Sequence, residues 1–196
     1  MTFDAVVLAG GTGRRLGGAS KPDVLLDGRR LLDHALSATA GAGRVVVVAP
    51  EDVAVPPGVV RTLEDPPLGG PVAGVAAGLA ALDAAPGPSA PLLVLLACDV
   101  PRAARAVPRL LRAAAAAHEG GTGRDGAALA DAAGRQQWLT AVYRTAALRE
   151  RLRVIPPAGA SVRELVSGLD LAAVTASGEE AADVDTWQDL AALEES

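Results

Sequence analysis

The chain has 196 residues, a mass of 19.6 kDa and a net charge of −5, with half of its residues hydrophobic and 21% charged. That points to one domain over residues 1–196 with a sizeable core, and it excludes collagen-like or disordered classes. A single cysteine, Cys98, excludes an internal disulfide, no Cys/His cluster has zinc spacing, and acidity with four aromatic residues disfavours a nucleic-acid partner.

Phe3 to Ala9 is a short apolar run that ends in glycines, which reads as a buried strand entering a loop. Leu31 to Ala42 has a helical pattern, Arg44 to Ala49 and Val59 to Leu63 read as strands, and Pro71 to Ala84 reads as a helix with proline at its first position. Leu92 to Cys98 is the next strand and about Val107 to His118 the next helix. Alternation of this kind predicts an α/β fold, Rossmann-like, with a mainly parallel sheet and helices on both faces. After a glycine-rich loop, Gly126 to Ala132 and Gln137 to Tyr143 are expected to pair around Ala133-Gly134-Arg135 as a small hairpin-like insertion. A short helix follows at Thr145 to Leu152, and capping-box patterns begin at Ser161 and Thr186, the second opening a final helix. The longest strongly apolar run, Leu92 to Cys98, is far below the ~20 residues a spanning helix needs. No secretion signal or membrane partner is expected, and a reducing cytoplasm is the expected setting.

Chemistry concentrates between Leu8 and Pro22. Gly10, Gly11, Gly13, Gly17 and Gly18 free backbone N–H groups for an anion, while Arg14, Arg15 and Lys21 add positive charge to an acidic chain. The expected ligand is phosphate. Counting from Gly11, Leu16 stands where a dinucleotide fingerprint needs its third glycine, and Ser20 stands where a Walker A loop needs glycine before lysine. Lys21 is the only lysine beside seventeen arginines, and lysine offers a compact point charge that arginine's planar fork does not reproduce. Asp99 follows an apolar run at the carboxyl end of a predicted strand, the edge where open α/β sheets bind ligands, and a carboxylate there suits Mg²⁺.

Leu8-Ala9-Gly10-Gly11 with Arg15-Leu16-Gly17-Gly18 and Lys21 resembles the signature loop of the molybdenum cofactor guanylyltransferases, within the wider nucleotidyltransferase superfamily. Glu64-Asp65 ahead of Gly70-Pro71-Val72-Ala73-Gly74 is similar to the family's acidic residue before Gly-Pro-Leu-Ala-Gly, and Cys98-Asp99-Val100-Pro101 to its metal-binding Cys-Asp-x-Pro. Asp183-Val184-Asp185-Thr186 stands where the family has Asn-x-Asn-Thr, and this chain has no asparagine at all. Those two acids are read either as metal ligands or as caps of the last helix.

The resemblance implies transfer of GMP from GTP to the terminal phosphate of molybdopterin, with release of pyrophosphate. It implies Lys21, Asp99 and Arg15 as catalytic, and Leu8, Ala9, Gly10, Gly11, Lys21, Asp65 and Asp99 as nucleotide-binding. Mg²⁺ is expected on Asp99, with Asp185 as a second candidate ligand. GTP, a phosphorylated pterin, and cofactor-delivery or molybdoenzyme proteins are the expected partners. Gly10 favours guanine, because cytidylyl relatives usually carry alanine there and a missing methyl leaves room for a purine. The alternatives are a cytidylyltransferase or another metabolite nucleotidyltransferase of the same fold, a sugar-nucleotide pyrophosphorylase among them, or a catalytically silent nucleotide-binding domain. Gln136, Gln137 and Trp138 are further candidates to flank the acceptor.

Overall fold

The computed structural model describes residues 1–11, 16–119 and 123–195. Its main sheet is built on β1 (Phe3–Leu8), which pairs in parallel with β4 (Val45–Val48) on one side and β6 (Leu92–Ala97) on the other. Strand β5 (Val60–Thr62) extends the sheet beyond β4. On the far side, β6 pairs antiparallel with β8 (Gln136–Arg144), which carries β7 (Gly126–Ala130), and β9 (Leu171–Thr175) lies parallel to β7 at the edge. The order is β5-β4-β1-β6-β8-β7-β9. The hairpin expected from the sequence therefore forms, and its strands are woven into the main sheet between β6 and β9. A second hairpin, β2 (Leu25–Leu26) with β3 (Arg29–Arg30), turns through Asp27 and Gly28, both at positive φ.

Alternate residues of the central strands face opposite layers, as the period of two demands. Phe3, Ala5 and Val7 pack with Leu92, Val94 and Leu96 under α1 (Leu31–Ser37) and α3 (Val107–Glu119). Val6, Leu93 and Leu95 face α2 (Pro71–Ala84), α4 (Thr145–Val154) and α5 (Val162–Val166). Both faces are thus buried, which explains why these strands read as unbroken apolar runs. Helix α2 comes unusually close to the sheet: a Cβ on Gly78 would stand 2.6 Å from a Val6 methyl, and one on Gly74 would stand 3.1 Å from Leu8. No helix among the described residues is long and apolar enough to cross a membrane.

A third, smaller cluster joins the two ends of the chain. Leu16, Val24, Leu26 and Leu31 bury against Val184, Leu190 and Leu193, the last two on α6 (Trp187–Glu194). The box that opens α6 is complete: Thr186 Oγ1 accepts from the Asp189 N–H, and an Asp189 oxygen accepts from the Thr186 N–H. Asp189 is thereby held below the ordinary carboxylate range, chiefly by its hydrogen bonds with Thr186.

The start of β1 carries a buried ion pair. Asp4, 3% exposed, accepts from Arg44 at 2.5 Å and from the Ala90 N–H at 3.0 Å. Burial alone pushes the Asp4 carboxyl up, but these partners outweigh it and its pKa lies below the ordinary value. A depressed folded-state pKa contributes stability that is complete above the unfolded carboxylate value and is lost as pH falls through the folded one. Asp4→Asn is therefore expected to cost ~3 kcal/mol at neutral pH, because it leaves Arg44 without its counter-charge, and to cost progressively less under acid. Urea melts of both proteins from pH 7 to pH 3 check this, and parallel curves for the two would refute it.

Candidate functional site

Strand order reverses at β1, since the chain runs outward through β4 and β5 and then returns to the opposite side of β1 as β6. Ligands of open α/β sheets bind at such a point, beyond the carboxyl ends of the strands. Leu8 stands opposite Ala97 in the register, and the Cys98 N–H donates to the Leu8 carbonyl at 2.9 Å. The glycine loop after β1 and Asp99 after β6 are consequently neighbours. A cleft of about 590 Å³ opens here, within the usual range of small-molecule sites.

At the polar end, Lys21 begins a short 3₁₀ turn, Lys21–Asp23, with Pro22 buried beneath it. Its ammonium donates to Asp99 Oδ2 at 3.0 Å and to Asp185 Oδ1 at 2.6 Å. The Lys21 side chain is only 13% exposed, against 27% for Asp99 and 40% for Asp185. Burial pulls the lysine pKa down, but the charge of Asp99 and the hydrogen bonds to both aspartates outweigh it, so Lys21 lies above the ordinary value and is fully charged. The Asp183 carboxyl is pushed up, first by burial and then by the charges of Asp185 and Asp99. Asp185 reaches the site because the Val184 N–H donates to the Asp99 carbonyl at 2.8 Å, with the Val184 side chain anchored in the third cluster. At the start of α6 the capping box is made by Thr186 and Asp189, and Asp185, just before it, meets Lys21.

The other end of the cleft is built by the turn before α2. Glu64, 8% exposed, lines it and accepts from the Leu68 N–H at 3.1 Å. Leu68, which also lines the cleft, stands at φ +62°, a conformation a leucine seldom adopts unaided. Gly70, Pro71 and Gly74 continue this wall, and Leu139 of β8 also faces the cleft.

The sequence candidates divide accordingly. Leu8, Gly10, Gly11, Lys21, Asp99 and Asp185 line one cleft. Ala9 is fully buried and borders a smaller hollow near Ser20 and Pro50. Asp65 is exposed and does not line the cleft; its neighbour Glu64 does, a residue the sequence reading passed over although both acids stood in the same motif. Arg14 and Arg15 lie outside the described residues. Trp138 donates its indole N–H to Gln136 at 3.1 Å and is not a wall of this cleft. Among the cleft-lining residues there is no histidine, and His34 instead bonds the Leu26 carbonyl at 2.9 Å. Cys98 is buried and its thiol is pushed up to about 12, mainly by burial and then by Asp99, which leaves it protonated and unreactive.

A glycine-rich turn, a lysine and carboxylates at the switch point of this sheet are the layout of a nucleotidyltransferase. Residues 5–174 match the MobA-like NTP transferase domain, and the chain belongs to that family. It is 40% identical over 121 residues to a molybdenum cofactor guanylyltransferase of Acidiphilium cryptum, an alignment that covers 57% of this chain and spans 58% of that relative's length. Among solved structures, Rv0371c of Mycobacterium tuberculosis is similar with a TM-score of 0.70 at 22% identity, over 100% of this chain and 98% of that one. The 2-C-methyl-D-erythritol 4-phosphate cytidylyltransferase of Thermus thermophilus is similar with a TM-score of 0.63 at 23% identity, over the same shares. At these identities the structures establish the shared fold.

Proposed function

We propose that this chain transfers GMP from GTP to the terminal phosphate of molybdopterin, with release of pyrophosphate. The observation that carries the reading is the meeting of Lys21, Asp99 and Asp185 in one cleft at the glycine loop. The similarity to a guanylyltransferase points to the acceptor. The triphosphate lies along Gly10 and Gly11 with Lys21 as its counter-charge, and Arg15 stands between them in the sequence. Two carboxylates that already converge on one cationic group are a hard-oxygen donor set that fits Mg²⁺, with Asp99 as the principal ligand. When bound, Mg²⁺ neutralises charge on the phosphate oxygens. An acceptor phosphate oxygen attacks the α-phosphorus, the bond to the bridging oxygen breaks, and pyrophosphate leaves with that electron pair. A phosphate nucleophile is ionised at neutral pH, so a cleft without histidine is adequate: positioning and charge neutralisation are what the reaction requires. The reading carries a cytoplasmic setting, with cofactor-delivery proteins or molybdoenzymes as partners.

The test is pyrophosphate release with GTP, CTP, ATP or UTP, Mg²⁺ and molybdopterin. Preference for GTP is the expected result. Preference for CTP would assign a cytidylyltransferase, as in the Thermus thermophilus neighbour, and nucleotide binding without turnover would assign a silent domain. Gly10 offers a sharper check on the base, since among the described residues no atom beyond its chain neighbours lies within 4 Å of the position its Cβ would take. Gly10→Ala is therefore expected to leave stability within about 0.5 kcal/mol of the parent while the GTP-over-CTP preference falls roughly tenfold. An unchanged ratio in competition assays would place the base away from Gly10.

A further inference from the structure

Lys21 is assigned to the triphosphate, yet in the structure its ammonium is committed to Asp99 and Asp185 at 3.0 and 2.6 Å. Two of its three N–H donors are spent on carboxylates, which leaves one for a phosphate while both bonds persist. The two oxygens converge on a single nitrogen that is largely shielded from solvent, and convergent carboxylates are also what a hard divalent cation needs. We propose that Lys21 and the divalent cation compete for the same pair of carboxylates, so that cation entry displaces the ammonium from Asp99 and Asp185 and frees it for the triphosphate. This rests on the nucleotidyltransferase reading of the cleft, and it makes Asp185, an acid where the family resemblance has an amide, the second cation ligand.

The physical basis is charge neutrality at the strand edge. Asp99 and Asp185 are brought together by the Val184–Asp99 backbone bond. Two partly shielded carboxylates so placed repel each other, and a cation between them lowers that repulsion. Lys21 supplies one charge and a divalent ion supplies two, so the exchange strengthens neutralisation and turns a lysine locked in a salt bridge into a phosphate ligand. Cation and nucleotide then favour each other's binding, because each accepts a group the other releases. The solitary lysine follows from this, since a compact ammonium can share the position of a small ion and a planar guanidinium cannot.

Because Lys21 is the only lysine, protein labelled with ¹³C at the lysine ε-carbon gives a single ε-methylene NMR signal. Titration of the intact chain with Mg²⁺ alone is expected to shift that signal saturably, and addition of a non-hydrolysable GTP analogue to shift it again. In parallel, Mn²⁺ binding followed by electron paramagnetic resonance, with no nucleotide present, is expected to be at least tenfold tighter for Lys21→Met than for the parent. The double variant Lys21→Met/Asp185→Asn is expected to lose that gain. An ε-methylene signal that stays still while Mg²⁺ saturates the protein would overturn the proposal. So would a Lys21→Met protein that binds Mn²⁺ no better than the parent, or a gain that survives in the double variant. The NMR arm needs no substitution and decides the matter even where Lys21→Met does not fold. Loss of guanine preference in the turnover assay would strike the base assignment and leave these two measurements unaffected.

Discussion

Asp99→Ala is expected to lower pyrophosphate release by roughly a thousandfold, about 4 kcal/mol of transition-state stabilisation, in a protein that still folds. Asp99 stands just beyond β6, and its structural tie to the rest of the chain is its backbone carbonyl, which accepts from the Val184 N–H and survives the substitution. Its side chain is about a quarter exposed and belongs to none of the apolar clusters, so removing it opens no cavity in the core. What is lost is the carboxylate that meets both the lysine and the proposed cation. Lys21 keeps Asp185, which limits the cost in stability. Steady-state turnover with GTP, Mg²⁺ and acceptor, run beside a thermal melt, separates the two effects. A folded Asp99→Ala protein with near-parental turnover would remove Asp99 from the mechanism.

Lys21→Arg is expected to slow the reaction a hundredfold or more even though the charge is retained and arginine is this chain's habitual cation. The ammonium occupies a slot 13% exposed, with carboxylate oxygens at 2.6 and 3.0 Å and Pro22 buried beside it. A guanidinium is wider, planar and fixed in the directions of its donors, so it cannot meet both aspartates from that position and then turn to a phosphate. Loss of a charge-assisted contact made mainly in the transition state corresponds to about 3 kcal/mol. A lysine with no part in the reaction would tolerate the exchange within about 0.5 kcal/mol. The informative comparison is kcat against KM: a fall mainly in kcat supports a transition-state role, and parental values for both would place Lys21 outside the chemistry.

Most of the framework was legible because its causes are local. Strands buried on both faces must be continuously apolar, and β1, β4 and β6 announce themselves in that way. Pro71 marks the start of α2 because its missing N–H costs nothing there, and the boxes at Ser161 and Thr186 mark helix starts through side chain-to-backbone bonds made within three residues. Strand β9, Leu-Ala-Ala-Val-Thr, escaped notice because it is short and two of its five residues are alanines, which are depleted in strands. Glu64 and Asp65 are adjacent acids in one motif, and in extended chain neighbouring side chains point to opposite sides, so only the path of the turn decides which of them enters the cleft.

By itself the sequence determined the α/β class, the glycine loop and the residue types that phosphate and a hard cation require. The tertiary structure alone decided which of those residues meet. Lys21 lies 78 residues from Asp99 and 164 from Asp185, separations across which no local pattern carries information. They converge because parallel pairing of β1 with β6 sets Leu8 opposite Ala97, and because a small apolar cluster clamps the segment after the glycine loop to the last helix. The contact between Lys21 and Asp185 is thus a product of burial elsewhere: the site is held together by Leu16, Val24, Val184 and Leu190, residues that carry no chemistry of their own.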